Sequence, residues 1–410
     1  MLTNKVTIAV IGGGAAGFFG AVTAARSHSH ARILILEAGK QPLAKVRISG
    51  GGRCNVTHNC FDPALLVKNY PRGNKALLGA FSRFQPRETI AWFESRGVGL
   101  KTEADGRIFP KSDRSETIID CLLREAAELG VELRRRSPVK SLARSPEGFA
   151  ITLKTGEIIN ADRVLVATGS SILGYRWAKQ LGHAIVTPIP SLFTFKMADP
   201  RLQGLAGVSV DRARVRLLSA GKQKLEHTGP VLVTHWGLSG PAILKLSAWG
   251  ARILWEHRYH LALQVNWLPD ENRETLSQTL LRVKAEHSKR KVFNDCPVTL
   301  PKRLWQKLLE GAGISAAKVW ADLSKKELNR AIAELVDGRY TIQGKNAFKE
   351  EFVTCGGVSL KEVNFKTMES RKCSGLYFAG EILDIDGVTG GFNFQSAWTT
   401  GWLAGMAMRD

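Results

Sequence analysis

The sequence is poor in acids: 37 Asp and Glu stand against 58 Lys and Arg, a net charge of +21, although charged residues make up an ordinary 23% of its 410 positions. A field of that sign favours polyanions such as RNA, DNA, anionic lipid or phosphorylated metabolites, and it says nothing about fold. Cysteine is sparse too. The six residues, Cys54, Cys60, Cys121, Cys296, Cys355 and Cys373, form no C-x-x-C pair and no close framework. That excludes a disulfide-built secreted domain and fits a reducing, cytoplasmic compartment. H-E-x-x-H is absent as well and the nine histidines are scattered, so no metal site is expected. There is no internal repeat and no low-complexity linker. With 44% hydrophobic residues the chain can bury a large core spread over two or three structural units, which excludes general disorder.

Long apolar runs are lacking, with one exception. Val6 to Ala25 carries no charge over twenty residues and so resembles a signal or membrane-spanning segment. Its glycines divide it into a β-branched run, Thr7 to Ile11, and an alanine-rich run, Ala15 to Arg26. Strand, turn and helix are therefore expected, and no membrane insertion. Arg32 to Glu37 reads as the next strand and completes a βαβ unit. Ser115 to Gly130 has helical spacing with Ser115 as its cap, Val131 to Arg135 reads as a strand, and Arg163 to Gly169 as a buried strand running into glycine. From Phe193 short alternating runs predict a β-rich insert, and residues 270 to 340 hold helical patterns. The end of the chain returns to a strand at Gly375 to Gly380 and a helix at Phe394 to Met408. A nucleotide-binding domain interrupted by a long insert explains that return. The expected boundaries are 1–194 and 346–410 for the interrupted domain, 195–268 for a β-rich insert and 269–345 for a helical one.

Gly12-x-Gly14-x-x-Gly17 falls between the first strand and its helix, and Glu37 follows Gly17 by twenty residues. In that context Gly12 permits the tight turn, Gly14 lets the backbone approach a pyrophosphate, and Gly17 allows close packing of helix on strand. Ala15 and Ala16 open the helix, whose N-terminus attracts the phosphate charge. Glu37, with Ala38 beside it, would accept hydrogen bonds from ribose hydroxyls and repel a 2′-phosphate, so FAD or NAD is expected rather than NADP. The alternative is a glycine-rich turn in an ordinary βαβ unit.

Distal motifs separate FAD from NAD, because a flavin ring needs contacts far from the first turn. Ala167-Thr168-Gly169 ends a strand, and Ala379-Gly380-Glu381 precedes Thr389-Gly390-Gly391-Phe392-Asn393. Ser49 to Asn55 holds three glycines with Arg47 and Arg53 close by, which offers backbone approach plus guanidinium charge. Together with Thr234-His-Trp-Gly-Leu-Ser-Gly-Pro241 and Gly356-Gly-Val-Ser359, these segments resemble the YhiN/BaiN-like FAD-dependent oxidoreductases over nearly the whole chain. The resemblance implies an α/β fold: a split Rossmann-type FAD-binding domain of the glutathione-reductase type carrying a β-rich plus helical insertion. It fixes the cofactor more firmly than the reaction, since members have been assigned substrates from amino ketones to unsaturated rings.

The expected FAD contacts beyond the first turn are Arg47, Gly51, Gly52 and Arg53, then Val139, Thr168 and Gly169, then Gly380 and Glu381, with Glu381 as the ribityl contact. Asp386 either binds ribityl hydroxyls or caps its loop. Gly390 and Gly391 precede a helix, so their N–H groups and the helix dipole suit the charge of a reduced flavin near N1 and C2=O; Phe392 and Asn393 complete this set. No second G-x-G-x-x-G with matching context is visible, so NAD(P)H is expected to bind transiently at the flavin face as donor, unless another donor serves.

Cys54 is the reactive cysteine expected from sequence, since Arg53 beside it would favour the thiolate; an inert buried cysteine is the alternative. His235 is the histidine expected to transfer protons from a folded-in loop, against a structural role packing on Trp236. Basic residues cluster at Arg134 to Arg136, at Arg212, Arg214 and Arg216, at Lys289 to Lys291 and at Lys302-Arg303. Trp249, Trp255, Trp267, Trp305 and Trp320 lie among the insert's cations, suited to base stacking or simply to core. The competing functions are reduction of a small-molecule enone or amino ketone, reduction of uridine to dihydrouridine in a structured, ribosomal RNA, and a flavin-bearing scaffold without catalysis. The charge favours RNA.

Overall fold

The uncharged N-terminal run folds as its glycines dictate, into the strand Thr7–Ile11 and the helix Ala15–Ser27. The computed structural model describes residues 5–218, 224–346 and 353–408. The chain divides into two compact units, one made of Met1–Pro190 with Val353–Asp410, the other of Ser191–Phe352. Among the described residues no helix is long and apolar enough to cross a membrane.

In the first unit Thr7–Ile11 is central to a parallel sheet, paired on one side with Arg32–Leu36 and on the other with Arg163–Val166. Glu132–Arg134 extends one side and Leu376–Phe378 the other. Val10 faces both Ile35 and Leu165, and Leu165 faces Tyr377. These side chains are buried, which explains why the strands read as unbroken apolar runs. Leu376–Phe378 enters the sheet from the far end of the sequence, so two remote segments build one Rossmann-type domain. The chain leaves and re-enters through the paired strands Ile185–Ser191 and Val353–Val358.

The helix Ala15–Ser27 lies against the C-terminal helix Phe392–Ala407 almost backbone to backbone. A Cβ on Gly401 would come within 2.6 Å of the Ala16 carbonyl oxygen. Gly401→Ala is expected to force the helices apart and lower the unfolding free energy by about 1–3 kcal/mol, read as an earlier urea midpoint with unchanged slope. An unchanged midpoint would mean that the two halves of the domain are not locked there. The helix expected from Ser115 begins at that residue and runs to Glu128, but Ser115 does not cap it. Its hydroxyl donates instead to the Arg47 carbonyl at 2.8 Å.

The second unit is a seven-stranded antiparallel sheet in the order Gly338–Ile342, Leu261–Asn266, Ser209–Leu218, Leu225–Thr234, Gly237–Ser239, Thr194–Lys196, Gly344–Asn346. The helical periods appear as Arg273–Glu286, Lys302–Gly311 and Lys325–Asp337. The expected separation into a β-rich and a helical insert gives way to one core: Val215 and Leu263 of the sheet share it with Leu276, Leu304 and Leu335 of the helices. The last two strands return to opposite edges of the sheet, so neither half could bury its apolar side alone.

That core decides between the two readings of three tryptophans, in favour of core over base stacking. Trp267, Trp305 and Trp320 are fully buried, and their indole N–H groups donate to the Tyr340 hydroxyl, the Val292 carbonyl and the Asp295 carboxylate at 3.1, 2.9 and 2.9 Å. Trp249 packs against the same core, and only Trp255 of the five is exposed. Roughly half of the chain's positive excess lies in this unit and half in the other.

Candidate functional site

The first turn is shaped for close packing on one side and open approach on the other. Gly12 has φ +111°, and a Cβ there would lie 2.4 Å from the Ala167 carbonyl oxygen; at Gly17 it would lie 1.9 Å from the Gly12 oxygen. At Gly14, the residue before the helix, a Cβ would meet nothing within 4 Å. Thus the first and third glycines hold the strand, turn and helix together, while the middle one leaves space above the helix N-terminus. The first helical turn, from Ala15, carries no acid, so its N–H groups and dipole face that space uncompensated. Ala16 is buried there, with Gly380 packed against its methyl group.

Glu37 ends the second strand beside this turn. Its carboxylate accepts from the Gly13 N–H at 2.8 Å and the Gly39 N–H at 2.6 Å, which fixes both oxygens and leaves further lone pairs for hydroxyl donors. Ala38 is exposed next to it. Val139 is buried at the start of the strand Val139–Ser145, and the Ser137 N–H donates to the Glu37 carbonyl at 2.8 Å, so this edge is tied to the acid.

The segment from Ala44 to Gly52 starts as a helix and breaks at Ser49, after which Gly50 and Gly51 take φ +58° and +70°. Gly51 and Gly52 have open space around them. Lys45 is ion-paired with Glu381, whose other oxygen accepts from the Thr354 N–H at 3.0 Å. This pair joins the loop to the C-terminal segment, and Gly169 lies against the same carboxylate, its Cβ position 3.6 Å from Glu381 Oε2. Arg47 reaches Glu116 at 3.1 Å, yet its Nε is buried with no partner. The Thr168 hydroxyl and the Tyr175 phenol are also buried and unpartnered. Burial, and after it the charges of Glu381 and Asp384, push the Tyr175 phenol up.

Several expected contacts have other partners here. Arg53 donates to Glu103 at 2.6 Å, reaches Asp113 at 3.5 Å and stacks 4.0 Å above the Phe109 ring; its charge is spent on the hairpin rather than offered to a phosphate. Asp386 is fully buried and forked by the Arg72 guanidinium, which makes it a loop anchor. Asn393 accepts from the Gly387 N–H at 2.8 Å and donates to the Gly387 carbonyl at 2.9 Å, so its amide closes the loop before the helix. Gly391, at φ +88°, caps that helix, and a Cβ on it would lie 2.6 Å from the Thr57 carbonyl. With its amide oriented to suit its neighbours, Asn55 accepts from the Gly391 N–H at 2.9 Å and donates to the Thr57 carbonyl at 3.0 Å. The glycine-rich loop is thereby tied to Gly390-Gly391. The N–H groups of Phe392 and Asn393 belong to the first turn, where helices leave donors without intrahelical partners.

The cysteine expectation is corrected. Cys54 is fully buried, and burial, only partly offset by Ser49, pushes its thiol up to about 12. The neighbouring Arg53 charge is already held by Glu103, so the thiolate is not favoured at neutral pH. His235 is corrected as well: it sits exposed at the turn between Leu225–Thr234 and Gly237–Ser239, next to Trp236, itself 54% exposed, rather than in a folded-in loop.

His58, which sequence reasoning passed over, lies beside the glycine pair. Its ring stacks on Phe392 at 4.8 Å, its Nε2 is 3.2 Å from the Asp105 carbonyl, and a Cβ on Gly390 would lie 3.5 Å from it. Tyr70 supports the arrangement by donating to the Phe392 carbonyl at 2.6 Å. Nothing local signals these roles, because each depends on strands distant in sequence. Among the described residues no group of three or more His, Cys, Asp or Glu could hold a metal ion.

An open helix N-terminus, a carboxylate fixed beside it, two open glycines and three orphaned buried polar atoms fit a dinucleotide with a long polar linker. The family described as HI0933-like protein Rossmann domain matches residues 6–407. The chain is 33% identical to a protein of Escherichia coli (strain K12) named ribosomal RNA dihydrouridine synthase, over 96% of this chain and 95% of that one. It is 32% identical to a 3-dehydro-bile acid delta(4,6)-reductase of Clostridium scindens, over 98% and 99% of the two chains. In fold it is similar to a 3-ketosteroid-delta4-(5alpha)-dehydrogenase of Rhodococcus jostii RHA1, with a TM-score of 0.52, 16% identity, and coverage of 100% of this chain and 98% of that one.

Proposed function

The chain belongs to the HI0933-like Rossmann-domain family, and from that premise we propose that this FAD-dependent oxidoreductase reduces the C5=C6 bond of a uridine in ribosomal RNA, with NAD(P)H as transient donor. The observation that carries the redox half is the turn open only at Gly14, with Glu37 fixed beside it. The RNA half is supported by the +21 charge and by the name of the E. coli relative. When bound, FAD would supply hydride, received from NAD(P)H, to C6, the carbon β to the C4 carbonyl, with a proton going to C5, so that two hydrogens are added and NAD(P)H is oxidised.

The chain's own residues supply binding and charge. The turn from Gly12 to Gly17 would hold the pyrophosphate and Glu37 would accept from the ribose, while the Lys45–Glu381 pair presents carboxylate oxygen towards Gly169. The N–H groups at Phe392 and Asn393, with the helix dipole behind them, stabilise negative charge beside the pair Gly390-Gly391. His58 replaces Cys54 as the proton-handling candidate of this unit, since its ring is fixed beside Gly390. His58→Gln is expected to lower kcat by roughly 10²-fold or more with bound flavin unchanged, whereas Cys54→Ala leaves kcat nearly unaltered. The reverse pattern in single-turnover assays would return the role to the cysteine.

A second reading, reduction of a small-molecule enone, is favoured by the 32% identity to the bile acid reductase. NAD(P)H oxidation by the purified protein, measured with ribosomal RNA and separately with 3-oxo-4-ene steroids, decides between them. Turnover driven by RNA supports the uridine reading, and turnover driven only by the steroids replaces it.

A further inference from the structure

The sheet of the second unit has one face packed on helices and one open. Along Ser209–Leu218, Ala213, Val215 and Leu217 enter the shared core, so the alternating Arg214 and Arg216 point the other way. Gln264 lies opposite Arg216 on one side and Arg339 on the other. Arg339, Gln264 and Arg216 therefore form a row across three strands, with Arg214 two residues along. Strands about 4.8 Å apart and a rise of about 3.3 Å per residue place these guanidinium groups within reach of successive phosphates. Small or polar groups, Ala262, Thr228 and Thr341, lie exposed between and beside them, with Leu218 half-buried at the end of the strand, so the row itself is cationic rather than apolar. Acids border the row: Glu226, directly opposite Arg216, is engaged by Lys224 at 3.0 Å, Asp337 accepts from Gln264 and is engaged by Arg273 at 3.1 Å, Asp270 is engaged by Arg212 at 3.1 Å, and Asp211 lies exposed three residues before Arg214. Among the described residues no carboxylate pairs with Arg214, Arg216 or Arg339.

We propose that this open sheet face binds the phosphodiester backbone of the RNA substrate, with Arg214, Arg216 and Arg339 as its phosphate contacts. The proposal rests on the RNA reading above and adds where the polymer is held. A bilayer surface is the poorer fit, because the row carries no apolar side chain to enter it.

The test is RNA affinity as a function of salt for the full-length holoenzyme, using ribosomal RNA fragments, in wild type and in Arg214→Gln/Arg216→Gln/Arg339→Gln. A charge-matched control, Lys325→Gln/Lys326→Gln/Arg330→Gln, alters exposed residues of the helix Lys325–Asp337. Three lost phosphate contacts make the log-log slope shallower by about 2, so the advantage of wild type is roughly 20-fold larger at about 50 mM than at about 200 mM salt. Bound FAD per chain stays the same, and the control keeps the wild-type slope. Should wild type and the sheet variant share one slope while both bind RNA, the face is not the contact and the RNA reading survives. Equal losses in the sheet variant and the control also overturn the face, leaving diffuse charge. A wild type that binds anionic phosphatidylserine vesicles but shows no salt-dependent RNA binding overturns both.

Discussion

Gly14→Asp is expected to yield a folded protein without its flavin. At this position a side chain costs the fold nothing: φ is −92°, no atom lies within 4 Å of the added Cβ, and Asp is a favourable residue before a helix. The same carboxylate would stand in the space that the dinucleotide's pyrophosphate needs, at a like-charge separation near 4 Å. That repulsion is about 4 kcal/mol per charge pair at a protein-surface dielectric, or about a thousandfold in affinity. The purified variant should be colourless, with a far-UV spectrum like that of wild type stripped of FAD and an unfolding midpoint no lower. Yellow protein with stoichiometric FAD would remove the phosphate-turn assignment.

The second large effect is expected at the other end of the site. Gly391→Val places a β-branched residue at φ +88° with its Cβ 2.6 Å from the Thr57 backbone. The left-handed conformation costs about 1–2 kcal/mol, and relieving the contact costs about 1–3 kcal/mol more. The C-terminal helix must then part from Thr57, which breaks the bridge that Asn55 makes between the two segments. Loss of FAD together with a lower thermal midpoint is the expected signature, in contrast to Gly14→Asp, where only the cofactor is lost. If Gly391→Val keeps both, the glycine pair is a plain turn and the reduced flavin's charge must be met elsewhere.

The parts of this protein legible in its sequence are those set by neighbours along the chain. The strand, turn and helix around Gly12 to Gly17 follow from glycine spacing between a β-branched and an alanine-rich run. The insert's helices follow from their apolar period, and the split domain from the return to strand and helix in the last sixty residues. Side-chain partnerships formed across long separations were not legible. Arg53 is claimed by Glu103 and Asp113, and Asp386 by Arg72, through pairings that no local pattern encodes. The charge beside Cys54 suggested a thiolate until burial and the Arg53 ion pair removed its cause. The tryptophans of the insert leave two readings open in the sequence, a cationic aromatic surface or core, because their burial depends on sheet and helices closing over one core.

Mass analysis of ribosomal RNA nucleosides, from cells lacking this gene and from the same cells carrying wild type or Gly14→Asp, tests the central claim most directly. Deletion should remove a dihydrouridine, seen as a uridine lighter by two hydrogens at the affected position, and wild type but not Gly14→Asp should restore it. Ribosomal RNA whose dihydrouridine content is the same in all three strains would contradict the account.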